Sequence, residues 1–191
     1  YGGEAAAGSD YIDGQEGNDS IAGGALAMGT SATANTTNTA SAGAKAGVDT
    51  IDGAEGDDVI AGDSLSIETG GGLVNTANTW NDAYNNSEAG SDEIYSGIGH
   101  DMVAGDSAEL AINGHADAYT WNRAYDEGGE AGDDYIQSSS GDDTVAGGSL
   151  AKGMTAYAFT DNRTYENGAS AGSDQILTGS GNDQFAGDSM A

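Results

Sequence analysis

Gly8-Ser-Asp10-Tyr-Ile12 returns along the chain as Gly47-Val-Asp49-Thr-Ile51, Gly90-Ser-Asp92-Glu-Ile94, Gly132-Asp-Asp134-Tyr-Ile136 and Gly172-Ser-Asp174-Gln-Ile176. The opening glycines lie 39, 43, 42 and 40 residues apart. Self-similarity at a period of about 20 to 50 residues marks supersecondary units stacked on their neighbours. Residues 1–191 are therefore expected to form a single repeat array, with coils at 8–46, 47–89, 90–131 and 132–171 and a partial one at 172–191. The chain opens without Met and stops inside a repeat, so it reads as a segment of a longer array, with any targeting signal outside it.

Composition narrows the choices. Nearly half of the 37% hydrophobic fraction is alanine, with two Phe and two Trp, while 33 glycines stand where bulky residues would fill a three-dimensional core. A thin, layered interior follows. The net charge of −28 repels itself in any compact state that lacks counterions. It also argues against nucleic acid as a partner, since Lys45, Arg123, Lys152 and Arg163 are too few to meet a phosphate backbone. Disorder is the alternative for an acidic, glycine-rich chain, but disorder does not require a repeat in perfect register. Without cysteine, no disulfide or thiolate site holds the fold. No apolar run reaches the roughly 20 residues of a membrane span.

Within each repeat the glycine-aspartate phrase occurs twice, nine residues apart. Asp10 pairs with Asp19, Asp49 with Asp58, Asp92 with Asp101, Asp134 with Asp143 and Asp174 with Asp183. Two positions after each Asp stands a large apolar residue: Ile12, Ile51, Ile94, Ile136 and Ile176 in one set, Ile21, Ile60, Val103, Val145 and Phe185 in the other. This predicts a glycine turn followed by a short strand with one inward side chain. The pattern G-G-x-G-x-D-x-U-x resembles the RTX repeat of secreted bacterial proteins.

The resemblance implies an all-β, right-handed parallel β-solenoid in which Ca2+ sits between stacked turns. It also implies type I secretion, with the chain unfolded in the low-calcium cytoplasm and folding outside the cell. Glycines allow positive φ and aim carbonyl oxygens inward, and Asp adds carboxylates to suit a cation that takes about six to eight oxygens. Two columns of five turns leave room for at most about eight ions, which would neutralise about 16 of the 28 negative charges. The apo chain is expected to be largely unfolded.

The second column, with Gly53-Ala-Glu-Gly56 and its equivalents, keeps more of the glycine pattern and is the stronger calcium candidate. The first loses its paired glycines, and Lys45 brings a positive charge there. A third turn follows as Ala61-Gly-Asp63, Ala104-Gly-Asp106 and Ala186-Gly-Asp188, whose Asp residues are either auxiliary ligands or turn formers.

More than twenty further residues then intervene before the next phrase. They repeat as Ala34-x-Thr36-x-Asn38, Ala77-x-Thr79-x-Asn81, Ala118-x-Thr120-x-Asn122 and Ala158-x-Thr160-x-Asn162. Strict alternation predicts an arm strand with a tight inner face and Thr and Asn ladders along the stacking axis. Leu65-Ser-Ile67 and Leu150 are expected in a preceding strand or wall. The outer face would carry Trp80, Tyr119, Trp121, Tyr157 and Phe159, with Tyr84, Tyr125 and Tyr165 just beyond. Such a row either docks a ligand such as surface glycan or stacks on itself across coils.

His100 and His115 have no paired context, and no nucleophile elbow appears, so no enzyme activity is expected of this segment. Three functions remain: a calcium-stabilised stalk, S-layer or filament segment that associates with further repeats or other copies; a glycan- or ice-binding module; and the folding and secretion module of an exoenzyme.

Overall fold

The structure, a computed structural model, describes residues 6–68, 74–111, 115–126, 128–153, 155–166 and 168–191. Among these residues every regular element is a β-strand, and none is a helix able to cross a membrane. One coil shows the plan. Lys45–Ala46, Thr50–Asp52, Val59–Ala61, Ser64–Glu68 and Val74–Tyr84 follow in order, and each joins a different sheet. Five parallel sheets result, each taking one strand from successive coils, so the chain is a parallel β-solenoid.

Register is set by the repeated phrases. In the second sheet Ile12, Ile51, Ile94, Ile136 and Ile176 stand directly above one another, and in the third Ile21, Ile60, Val103, Val145 and Phe185 do the same. The two columns pack together as the main apolar cluster, with Ile51, Ile60, Ile94, Val103, Ile136 and Val145 excluded from solvent. Burying such a side chain stabilises by about 1.5–3 kcal/mol. A second cluster joins Ala61, Met102 and Ala104 of the third sheet to Leu65, Ile67, Ala108 and Leu150 of the fourth, so the expected strand around Leu65-Ser-Ile67 is present. The short first sheet meets the arm through alanine alone, with Ala46, Ala89 and Ala131 against Ala40, Ala83 and Ala124.

The arm strands form the fifth sheet: Thr33–Ser41, Val74–Tyr84, His115–Ala124 and Thr155–Thr164. Their inner face is the alternating Ala, Thr, Asn set. Thr79, Ser107, Thr120, Ser149, Thr160 and Ser189 link hydroxyl to hydroxyl at 2.9–3.2 Å, joining the fourth sheet to the fifth along the axis. Asn38, Asn81, Asn122 and Asn162 make an amide ladder in which each Nδ2 donates to the next Oδ1 at 3.0–3.1 Å. On the outer face Trp80 stacks on Trp121 at 4.9 Å, and Tyr84, Tyr125 and Tyr165 stack at 4.4 and 4.8 Å with planes within 3°. The rings thus cover one another's faces and present their edges outward.

Length variation is confined. Between the first two coils the partners are 39 residues apart at the turn of Asp19 and Asp58 but 43 apart where Ala32 meets Asn75 at the arm. Between the third and fourth they are 42 apart at Asp101 and Asp143, and 40 at Asn122 and Asn162. The corner between the fourth and fifth sheets takes up these differences, and the corner from the fifth sheet to the first takes up one residue more, since Ala83 and Ala124 are 41 apart but Glu88 and Glu130 are 42, while the two nine-residue turn columns keep their length.

Candidate metal centre

Each Asp of the first column takes the backbone N–H of the Asp one coil earlier. Asp10 N–H donates to Asp49 Oδ1 at 2.7 Å, Asp49 to Asp92 at 2.8 Å, Asp92 to Asp134 at 2.7 Å and Asp134 to Asp174 at 3.1 Å. The second column repeats this through Asp19, Asp58, Asp101, Asp143 and Asp183 at 2.9–3.1 Å. Here the preceding residue clamps in the opposite direction: His100 N–H donates to Asp57 Oδ1, and His100 Nδ1 accepts from Asp142 N–H. His100 is therefore an exposed rung of the turn stack. His115 pairs with Asp117 on the arm at 2.9 Å.

From the second coil onward, one oxygen of each carboxylate is spent on the ladder, and the other is not. Oδ2 of Asp19, Asp49, Asp58, Asp92, Asp101, Asp134 and Asp143 is buried without a hydrogen-bond partner. A buried ionised oxygen left unmet is expensive, so these atoms call for a cation or a proton. The third turn supplies more charge at the same place. Asp63 and Asp106 are fully buried, and the carboxylates of Asp49, Asp63 and Asp92 come together within 4.8 Å.

Arm amides hold these third-turn groups. Asn38 Nδ2 donates to Asp63 Oδ1 at 2.6 Å, Asn81 Nδ2 to Asp106 Oδ1 at 2.7 Å, and Asn162 Nδ2 to Asp188 Oδ1 at 2.8 Å. Asp188 is exposed in the last coil, whereas Gly24 and Gly148 occupy the same place in the first and fourth.

Burial raises the Asp63 carboxyl to about 7, with the Asp49 charge adding to it. Asp92, Asp106 and Asp134 are pushed well above the usual carboxylate range, first by burial and then by neighbouring charge, that of Asp63 on Asp92 and Asp106 and that of Asp106 on Asp134. Burial raises Asp58 and Asp101 in the second column as well. Such a crowd of like charges is stable only when neutralised, and a hard divalent ion with several oxygen ligands suits it.

Glycines shape the cradle. A Cβ at Gly62 would stand 1.9 Å from the Gly105 carbonyl oxygen and 2.1 Å from Asp92 Oδ2, so both oxygens converge on the glycine's open side. Gly23, Gly105 and Gly147 repeat the arrangement with Asp49, Asp134 and Asp174. In the second column a Cβ at Gly53 would meet the Ser96 carbonyl oxygen at 2.5 Å and Asp58 Oδ2 at 2.7 Å. The residues present therefore fit Ca2+. Carboxylates of both columns and of Asp63 and Asp106 would hold it together with turn carbonyl oxygens.

The glycine pattern favours the second column, but among the described residues the group of three carboxylates within 4.8 Å lies at the first, because Asp63 arrives there from the third corner of the coil. Gln15 and Ala54 adopt φ of 69° in the second turns despite lacking glycine's freedom. Lys45 pairs with Glu88 at 2.5 Å. The Asn side chains as partners of the third-turn Asp were not foreseen. Their signal was the recurrence of both residue types in successive repeats.

The family model for the RTX calcium-binding nonapeptide repeat (4 copies) matches residues 4–25, 44–64, 86–107, 129–149 and 169–189. Each described part of a match runs from the first sheet through both Asp turns to the third corner, and the arms fall between matches. No curated protein and no solved structure matches the chain.

Proposed function

The chain belongs to the RTX calcium-binding nonapeptide repeat family, and from that premise we propose that it is a calcium-stabilised structural segment of a secreted bacterial surface protein, such as an adhesin stalk, S-layer component or extracellular filament. Calcium binding by the repeats comes with the family. The structural role rests on one contrast between end and middle coils. Leu26 and Met28 are 48% and 58% exposed in the first coil, yet their register partners Leu65 and Ile67 are buried in the second. At the far end Phe185 is 64% exposed, although Val145 beneath it is buried. Side chains of core type left open at both ends, beside unpaired strand edges, fit further coils of the same kind, from this chain or another copy.

Sedimentation velocity in millimolar Ca2+ tests this. Concentration-dependent end-to-end association is expected, and Leu26→Glu with Met28→Glu should abolish it. A chain that stays monomeric at high concentration with its calcium bound would refute self-stacking. A second reading uses the outer arm face, where aromatic edges lie beside the Asn35 and Asn78 amides, as a surface for glycan. Trp80→Ser with Trp121→Ser should then weaken adhesion to glycan-coated surfaces without unfolding the coil.

A further inference from the structure

Far from the turns, one carboxylate is buried beside alanine side chains. Glu109 of the fourth sheet is excluded from solvent, and neither of its oxygens has a hydrogen-bond partner. Ser107, two residues earlier, donates to the Tyr119 carbonyl oxygen of the fifth sheet. Alternate residues of a strand share a face, so Glu109 also points between these sheets. Its register partners in the neighbouring coils are Ser66 and Ala151, and Ala111, Ala116, Ala118 and Ala151 form an alanine cluster in the same region. Methyl groups of that size offer a carboxylate nothing.

Two further polar groups belong to the same layer. Asn75 is fully buried; its Oδ1 accepts the Ala32 N–H at 2.8 Å, while its Nδ2 has no partner. Although no hydrogen bond of good geometry joins them, the Asn75 side chain lies close enough to Glu109 to favour its ionised form. Glu68, also fully buried, lies two residues beyond Ser66 on the adjacent strand, which makes it the diagonal neighbour of Glu109 on one face. Its charge and that of Asp117 act against ionisation of Glu109, whose carboxyl burial raises to about 8. Two buried carboxylates on one face, with small side chains around them, match the charge and oxygen preference of one divalent ion.

We propose that Glu109 and Glu68 hold a divalent cation, Ca2+ in the medium that fills the turns, between the fourth and fifth sheets, with the Asn75 amide supporting the carboxylate from outside. All three residues fall outside the segments that match the nonapeptide repeat. The site therefore belongs to the arm and is distinct from both turn columns. It would fasten the arm of the second coil to that of the third.

Calcium bound per chain, measured by equilibrium dialysis and elemental analysis, tests the site. Glu109→Gln and Glu109→Ser, the latter carrying the residue type of Ser66, should retain the strand signal at saturating Ca2+ and bind one ion fewer than the parent. An unchanged count in a folded variant overturns the proposal and makes Glu109 a buried neutral acid. Should both variants fail to fold, anomalous diffraction from Tb3+-soaked crystals of the unmodified chain decides. A peak between Glu68 and Glu109 supports the site. Its absence beside occupied turns overturns it, and empty turns would instead refute calcium binding by the turn columns.

Discussion

Replacing Gly62 by Ala isolates what the stacked turns require. The φ at Gly62 lies outside the left-handed region, so the backbone itself would accept alanine, which elsewhere stabilises by about 0.4–1 kcal/mol. The obstacle is the next coil. A Cβ would stand 1.9 Å from the Gly105 carbonyl oxygen, where carbon and oxygen need about 3.3 Å, a shortfall of about 1.4 Å against a strand spacing of about 4.8 Å. Asp92 Oδ2, 2.1 Å away, can rotate aside only by leaving the cation cradle.

The Gly105 carbonyl belongs to a turn whose own N–H is bonded to Ala146, so the coils must part. Parting them weakens the bonds from Gly62 N to Ala104 O, Asp63 N to Asp106 O and Ser64 N to Asp106 O, now 3.0–3.1 Å. At about 1 kcal/mol each, the loss is about 3 kcal/mol before any effect on calcium. Gly187 occupies the same turn in the last coil, and a Cβ there meets nothing within 4 Å. Urea unfolding in millimolar Ca2+ should therefore show Gly62→Ala destabilised by about 3 kcal/mol or more and Gly187→Ala within about 0.5 kcal/mol of the parent. Equal stability of Gly62→Ala and the parent, or an equal loss at Gly187, refutes the argument.

Three other outcomes follow from the same geometry. With calcium chelated, carboxylates raised by burial, such as Asp63 at about 7, favour the folded state when protonated. Their stabilisation is complete below the unfolded value near 3.8 and is lost as pH rises through about 7. Circular dichroism should thus show strand signal in the apo chain near pH 4, little at pH 8, and its return on adding Ca2+; equal strand content with chelator and with Ca2+ at pH 8 refutes metal-coupled folding. Asn81→Ala removes the donor to Asp63, Asp106 and Asn122 and should lower stability in calcium by about 2–4 kcal/mol, read from the urea midpoint. Tyr125→Leu loses two ring stacks and Tyr165→Leu one, so thermal melts should show about twice the loss for the former, at about 0.5–1.5 kcal/mol per stack.

The columns of Asp and Ile were legible because identical residues recur at a fixed beat, and a solenoid turns sequence period directly into vertical neighbours. The inner face of the arm was legible for the same reason, through Ala77, Thr79 and Asn81. Lateral neighbours were harder to read. Asp63 meets Asp49 and Asn38 only because the coil closes on itself, and how far each corner turns is set by packing among small side chains, which no spacing reveals. Glu109 was hidden for the opposite reason: it occurs in one coil alone, whereas repetition draws the eye to what recurs.

The corner between the fourth and fifth sheets, where coils differ in length without disturbing the register on either side, acts as a port. Peptides of a few residues exchanged there should leave the calcium turns untouched. An epitope or enzyme tag grafted into several coils would then be displayed as a row with a pitch of about 4.8 Å, assembled only when calcium is present.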